Sequence, residues 1–184
     1  MLEELVFAGF GGQGILSAGS ILAHAALNEG YEVAWIPSYG PEMRGGTANC
    51  NVIVSDEQIG ATSIAHPSGA IVMNTPSFER FEPTIRPGGT LVVNSSLIDT
   101  RSRRTDIQVL YVATADLAAG AGSLVVASVA ALGALNAARR LVPPDRIEEA
   151  IVAMLSDKRP HLVSINMDAL QAGAIAGHTA LATA

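Results

Sequence analysis

The sequence runs to 184 residues, enough for one domain with a sizeable buried core. Hydrophobic residues make up 49% and charged residues 15%, which excludes a disordered chain and is poor in charge for a free-standing soluble domain. With 11 Lys and Arg against 17 Asp and Glu, the formal charge is −6, and the basic stripe that a nucleic-acid backbone requires is missing.

The single cysteine, Cys50, excludes an intrachain disulfide, a cysteine-ligated iron–sulfur cluster and a multi-cysteine zinc site within this chain. His24, His66, His161 and His178 have no metal-ligand spacing, so no metal ligands are assigned. Met1-Leu2-Glu3-Glu4 carries acids where a signal peptide carries lysines, and a reducing cytoplasm is the expected location. From Leu117 to Ala138 there is no charged residue, a stretch long enough to span a bilayer. Its Ala, Gly and Ser content, with Asn136 inside it, points instead to a helix buried in a core or subunit interface.

In chain order, Leu5-Val6-Phe7-Ala8 reads as a strand running into a glycine turn. Ile15 to Leu27 then reads as a helix apolar on both sides, hence covered on both sides. Asn28-Glu29-Gly30 ends it and Glu32 to Ile36 is a second strand, so the opening is a βαβ unit with a parallel sheet. Thr47 to Val54 alternates polar and apolar residues, the pattern of an antiparallel or edge strand with one polar face for a partner. Ser55-Asp56-Glu57 looks like a hairpin turn back toward Ile59.

Ala70–Met73, Thr90–Val93 and Val109–Val112 are further apolar strands of the same sheet. The chain turns helical after Asp116. Ser123 to Leu141 forms one helix closing on Arg139-Arg140, and Asp145 caps a second that packs through Ile147, Ile151, Met154 and Leu155. A last helix, about His161 to Ala176, turns Leu162, Ile165, Ala169, Leu170 and Gly173 inward. Residues 1–178 form a single domain, and 179–184 are a frayed tail. The expected fold class is α/β: a Rossmann-like, mostly parallel sheet with helices on both faces and a C-terminal helical layer.

Two stretches carry the candidate site. Gly9-Phe10-Gly11-Gly12-Gln13-Gly14 fits G-x-G-x-x-G between a strand and a helix, where free N–H groups and a helix N-terminus bind anions. A dinucleotide would need an acid at the end of the second strand, and Ala34-Trp35-Ile36-Pro37-Ser38 has none. Another phosphate, a contact with a neighbouring subunit, and glycines present only for close packing remain open. Tyr39-Gly40-Pro41-Glu42-Met43-Arg44-Gly45-Gly46 follows the second strand at the carboxyl edge of the sheet, where open sheets bind ligands. Gly45-Gly46 can form an anion nest beside the Arg44 guanidinium, or Arg44 can pair with Glu42 and merely lock the loop.

Arg101, Arg103 and Arg104 read as a solvated loop, and Cys50 as a small core residue. Ser17 and Ser38 have no nucleophile-elbow context, and no catalytic residue is assigned. Asn136 and Asn166 each find a partner within the helical layer, because an unpaired buried amide costs about 1–3 kcal/mol.

The glycine run followed by Tyr39–Gly46, with Ile59-Gly60 further on, resembles the gamma subunit of 2-oxoacid:ferredoxin oxidoreductases, from about Val6 to Gly173 and including Leu132-Gly133-Ala134 and Asn166. The resemblance implies an enzyme that decarboxylates a 2-oxoacid on thiamine diphosphate and magnesium, passes two electrons through iron–sulfur clusters to ferredoxin, and forms an acyl-CoA. It implies that this chain binds none of those cofactors alone. They belong to alpha, beta and ferredoxin-like subunits, against which it packs as an accessory subunit. The chain accordingly lacks a Gly-Asp-Gly segment for magnesium diphosphate.

By the same resemblance, Gly9, Gly11, Gly12, Gln13, Gly14, Tyr39, Glu42, Arg44, Gly45 and Gly46 are the cofactor-facing candidates, toward coenzyme A. The form Pro37 to Arg44 leans to the 2-oxoglutarate or branched-chain members. The low charge predicts a homodimer in isolation. The rivals are a free-standing dinucleotide-dependent oxidoreductase and a scaffold subunit with no ligand.

Overall fold

A computed structural model describes residues 1–38 and 47–182. A six-stranded sheet in the order β2-β3-β1-β4-β5-β6 carries the molecule. Its strands are β1 (Leu2–Phe10), β2 (Glu32–Ser38), β3 (Thr47–Ser55), β4 (Gly69–Val72), β5 (Thr90–Asn94) and β6 (Gln108–Val112). β1, β4, β5 and β6 pair in parallel, and β4 and β5 are buried along their whole length. Strands covered on both faces read as continuous apolar runs, which is why these were legible.

The left half departs from expectation. β1 and β2 run in the same direction but are not neighbours, because β3 lies between them, antiparallel to both. Thr47–Val54 is therefore an antiparallel strand but not an edge; β2 and β6 are the edges. The physical reason is in β3 itself: Val52, Ile53 and Val54 are all buried, a two-sided burial that an edge strand cannot supply. No strand follows Ser55-Asp56-Glu57. The chain through Ile59-Gly60 is irregular until β4, and Glu57 N–H donates to Ser55 Oγ at 3.0 Å. The expected hairpin to Ile59 is thus a turn without a returning strand.

α1 (Ile15–Asn28), α4 (Ala127–Arg139), α5 (Pro144–Leu155) and α6 (His161–Ala182) share one core with Phe7, Cys50, Val52, Ile71, Val92 and Leu110. A shorter helix, α2 (Thr75–Phe81), covers the opposite face, where Phe78 meets Val6, Ala70, Val72 and Leu91. α3 (Thr114–Gly120) leads from β6 into the helical layer. The helix expected from Ser123 opens as a 3-10 turn at Leu124–Val126 before α4, which ends with Arg140 in the left-handed region. α5 starts at Pro144, a favoured first helical position, so Asp145 sits inside the first turn and does not cap it. α6 remains helical to Ala182, past the tail expected from Thr179.

Asn136 bonds Val142 in both directions, at 3.0 and 3.2 Å, and Asn166 donates to Leu162 O of its own helix. Among the described residues no helix is long and apolar enough to cross a membrane. The uncharged segment is divided among the end of α3, the 3-10 turn and α4, and only its α4 part, from Ala127 to Asn136, is buried throughout between sheet and α6.

Cys50 is fully buried, with Sγ 3.8 Å from Ile15 O, and burial pushes its thiol up from 9.0 to about 12. The native thiol should ignore a disulfide reagent at pH 8 and react stoichiometrically after unfolding. Because the unfolded thiol ionises near 9 and the native one near 12, its contribution to stability is intact below pH 9 and lost as the pH rises toward 12. Unfolding midpoints measured between pH 8 and 11, with Cys50→Ala as control, check the direction.

Candidate functional site

The site forms where the chain changes side. From β1 it crosses into α1 on one face, and from β4 into α2 on the other, so a crevice opens at the carboxyl ends of β1 and β4. The glycine run fills the turn between β1 and α1. Gln13 folds back into it: Phe10 N–H donates to Gln13 Oε1 at 2.7 Å, and Gln13 Nε2 reaches Met73 O at 3.5 Å. Gly12 adopts φ 95° at the exposed tip, and Gly14 adopts φ 75° as the N-cap of α1. A methyl group at Gly14 would stand 2.7 Å from both Ser128 Oγ and the Val125 carbonyl. The third glycine therefore admits the start of the helical layer, whereas Gly12 leaves its backbone open.

No side chain caps α1. Among the described residues, three side-chain polar atoms are buried without a hydrogen-bond partner: Asn74 Nδ2, Asn94 Nδ2 and Ser128 Oγ. All three lie along this edge. Asn74 follows β4 and caps α2, its Oδ1 accepting from Ser77 N–H at 2.8 Å. Asn94 closes β5, its Oδ1 accepting from Ser96 N–H at 3.2 Å. Ser128 faces Gly14.

An unmade buried hydrogen bond costs about 1–3 kcal/mol, so these three groups mark the least satisfied part of the described core. The groups open at the turn itself are the Gly12 backbone and the uncapped N-terminus of α1. Such a set suits an anion or a carbonyl oxygen and moves no proton. The rim is apolar: Phe10, Leu124 and Val125 are 38%, 64% and 55% exposed.

Gly9, Gly11, Gly12, Gln13 and Gly14 thus lie together at this edge. Tyr39, Glu42, Arg44, Gly45 and Gly46 fall outside the described residues. The strand positions flanking them belong to the same edge, since Thr47 pairs with Phe10 and Ser38 with Asn49. Sequence reasoning missed Asn74, Asn94 and Ser128. The signal was available, as each asparagine directly ends a buried apolar run, Ala70–Met73 and Leu91–Val93.

Two arginines of the expected basic loop are engaged locally. Arg104 forks onto Asp106 at 2.8 and 2.7 Å, which lowers that carboxyl below its ordinary value, and Arg101 stacks 3.9 Å from the Tyr111 ring centre. The dinucleotide reading also fails on geometry. With β3 inserted, β2 ends two strand spacings from the glycine run, roughly 10 Å, and Val33–Ser38 carries no acid to read a ribose.

A glycine turn at the point where the chain changes side, beside an apolar rim, defines a Rossmann-like α/β domain. The chain belongs to the pyruvate ferredoxin/flavodoxin oxidoreductase family, whose model matches residues 4–176. It is similar to the ketoisovalerate oxidoreductase subunit VorA of Methanothermobacter marburgensis, 35% identical over 168 residues. That match covers 91% of this chain and 35% of VorA, so the chain spans about a third of that relative's length. The 2-oxoglutarate synthase subunit KorC of Methanocaldococcus jannaschii is 32% identical over 155 residues, 83% of each chain. The crystal structure of a keto/oxoacid ferredoxin oxidoreductase gamma subunit from Geobacter sulfurreducens PCA superposes with a TM-score of 0.85 at 28% identity, covering 98% of both chains.

Proposed function

We propose that the chain works as the accessory gamma subunit of a cytoplasmic 2-oxoacid:ferredoxin oxidoreductase, which converts a 2-oxoacid, 2-oxoglutarate in the first instance, to an acyl-CoA with reduction of ferredoxin. What carries this reading is the family match over residues 4–176 together with the glycine turn and uncapped helix start at the carboxyl edge. Thiamine diphosphate, magnesium and the iron–sulfur clusters belong to alpha, beta and ferredoxin-like partners. With one cysteine, which is buried, the chain fits no cluster.

Coenzyme A does fit the donor set. When bound, it supplies the thiol that accepts the acyl group. The part of this chain is to orient and to exclude water. The uncapped start of α1 and the Gly11-Gly12 backbone offer N–H groups to its phosphates or carbonyls. Arg44 adds a charge-assisted contact beside Tyr39, Glu42, Gly45 and Gly46. Phe10, Leu124 and Val125 form the apolar surface that the partner subunits cover, and in their absence a second copy, giving a homodimer. The working unit is residues 1–178.

Co-expression with alpha and beta subunits tests this. The chain should co-purify with them, and isolated it should hold neither thiamine diphosphate nor a cluster absorbance band. Arg44→Ala should leave the melting temperature of the isolated chain nearly unchanged. It should lower CoA-dependent decarboxylation by the assembled enzyme about 10–100-fold, the loss of one charged hydrogen bond. A chain that ignores both partners, or that carries stoichiometric thiamine diphosphate alone, overturns the reading; saturable NADH binding favours the dinucleotide rival.

A further inference from the structure

At the opposite edge of the sheet, the end of α4, the start of α5 and one face of α6 enclose a cleft of about 510 Å³. That volume suits a small organic molecule. Its walls are apolar, with Leu141, Ile147 and Leu170 among them, and its polar groups are few. One of these, Glu29, is already engaged, its Oε2 lying 2.7 Å from Arg146 Nε. Arg140 is the contrasting group. It lines the cleft and forms no ion pair among the described residues.

The backbone of Arg140 gives independent reason to notice it. It is the one described non-glycine residue at positive φ, 52°, and it sits just past the last turn of α4. That position normally takes glycine or asparagine, because a Cβ is strained there. His178 of α6 lines the same cleft, and the start of α5 that borders it at Pro143-Pro144 carries Asp145 in its first turn.

We propose that this cleft binds a small amphipathic carboxylate, its aliphatic body against Tyr31, Pro143, Pro144 and Ala174 and its carboxylate on Arg140 beside His178. Nothing in this rests on the gamma-subunit reading, since the cleft lies across the sheet from the glycine turn. Titrating the full chain by calorimetry with octanoate, 1-octanol and octylamine tests the proposal. Octanoate should saturate and bind about tenfold or more tighter than the alcohol or the amine, the margin of a charge-assisted bond. Arg140→Gly should raise the melting temperature by relieving the strained backbone, yet abolish the preference for octanoate over octanol. Arg140→Lys should keep part of that preference. Octanoate that does not saturate, that binds no better than octanol, or that binds Arg140→Gly as well as the parent chain overturns the proposal.

Discussion

Replacing Gly173 with valine should cost about 3 kcal/mol of stability, at the upper end of the overpacking range. For a chain of this size that lowers the melting temperature by about 10 °C. The cause is the backbone-to-backbone contact of α4 and α6. A Cβ at Gly173 would overlap the Ala130 carbonyl, one at Gly133 the Leu170 carbonyl, and one at Gly177 would stand 2.7 Å from Ala134 Cα. α4 cannot retreat, because its other side is buried on the sheet at Leu132 and Leu135. α6 must therefore lift away, forfeiting contact along both helices. Gly120→Ala is the control: nothing lies within 4 Å of the added methyl, and the better helix former should be neutral or slightly stabilising. Urea unfolding of the three chains decides it. Equal midpoints for Gly173→Val and the parent would show that the two helices are not in backbone contact.

The same contact explains what could and could not be read from sequence. An uncharged, Ala- and Gly-rich segment is what close helix packing needs, whether in a membrane or in a core. The partner glycines that decide between them, Gly173 and Gly177, lie a helix and two loops further on. Strands β1, β4, β5 and β6 were legible because two-sided burial writes itself as an apolar run. The place of β3 was not, since periodicity reports faces and says nothing of which strands are neighbours. Inserting β3 between β1 and β2 changes the chemistry as well as the topology, for it moves the end of the second strand away from the glycine turn.

The candidate site divides in the same way. The glycine turn announced itself through spacing, and Gly12 and Gly14 do adopt positive φ. Asn74, Asn94 and Ser128 are ordinary polar residues in sequence. They become informative only when burial shows that each keeps an unspent donor or hydroxyl, and when all three fall on one edge. That edge also carries Phe10, Leu124 and Val125, so unsatisfied polar groups and uncovered apolar surface coincide. Exposed apolar surface of this kind is what a contact with another chain covers.

At the other edge, Arg139→Met should destabilise the chain by about 3 kcal/mol. Arg139 ends α4 and forks onto Glu3 near the start of β1, Nε to Oε2 at 3.0 Å and Nη2 to Oε1 at 2.7 Å. The pair is 15% and 12% exposed, so neither charge regains full hydration when the other is removed. Glu3 Oε2 also accepts from Ser68 Oγ at 2.5 Å, and Ser68 Oγ in turn accepts from Glu4 N–H at 3.0 Å. Arg139 Nη1 lies 3.4 Å from Thr90 Oγ1. One ion pair thereby joins the ends of α4, β1, β4 and β5. Glu3→Gln should cost a similar amount by leaving the guanidinium without its counter-charge. The double variant Glu3→Leu, Arg139→Met should recover most of the loss, because it removes both desolvated charges and leaves apolar side chains of similar size. A double variant as unstable as the sum of the singles would show that the pair contributes through its hydrogen bonds to Ser68 and Thr90 rather than through mutual charge compensation.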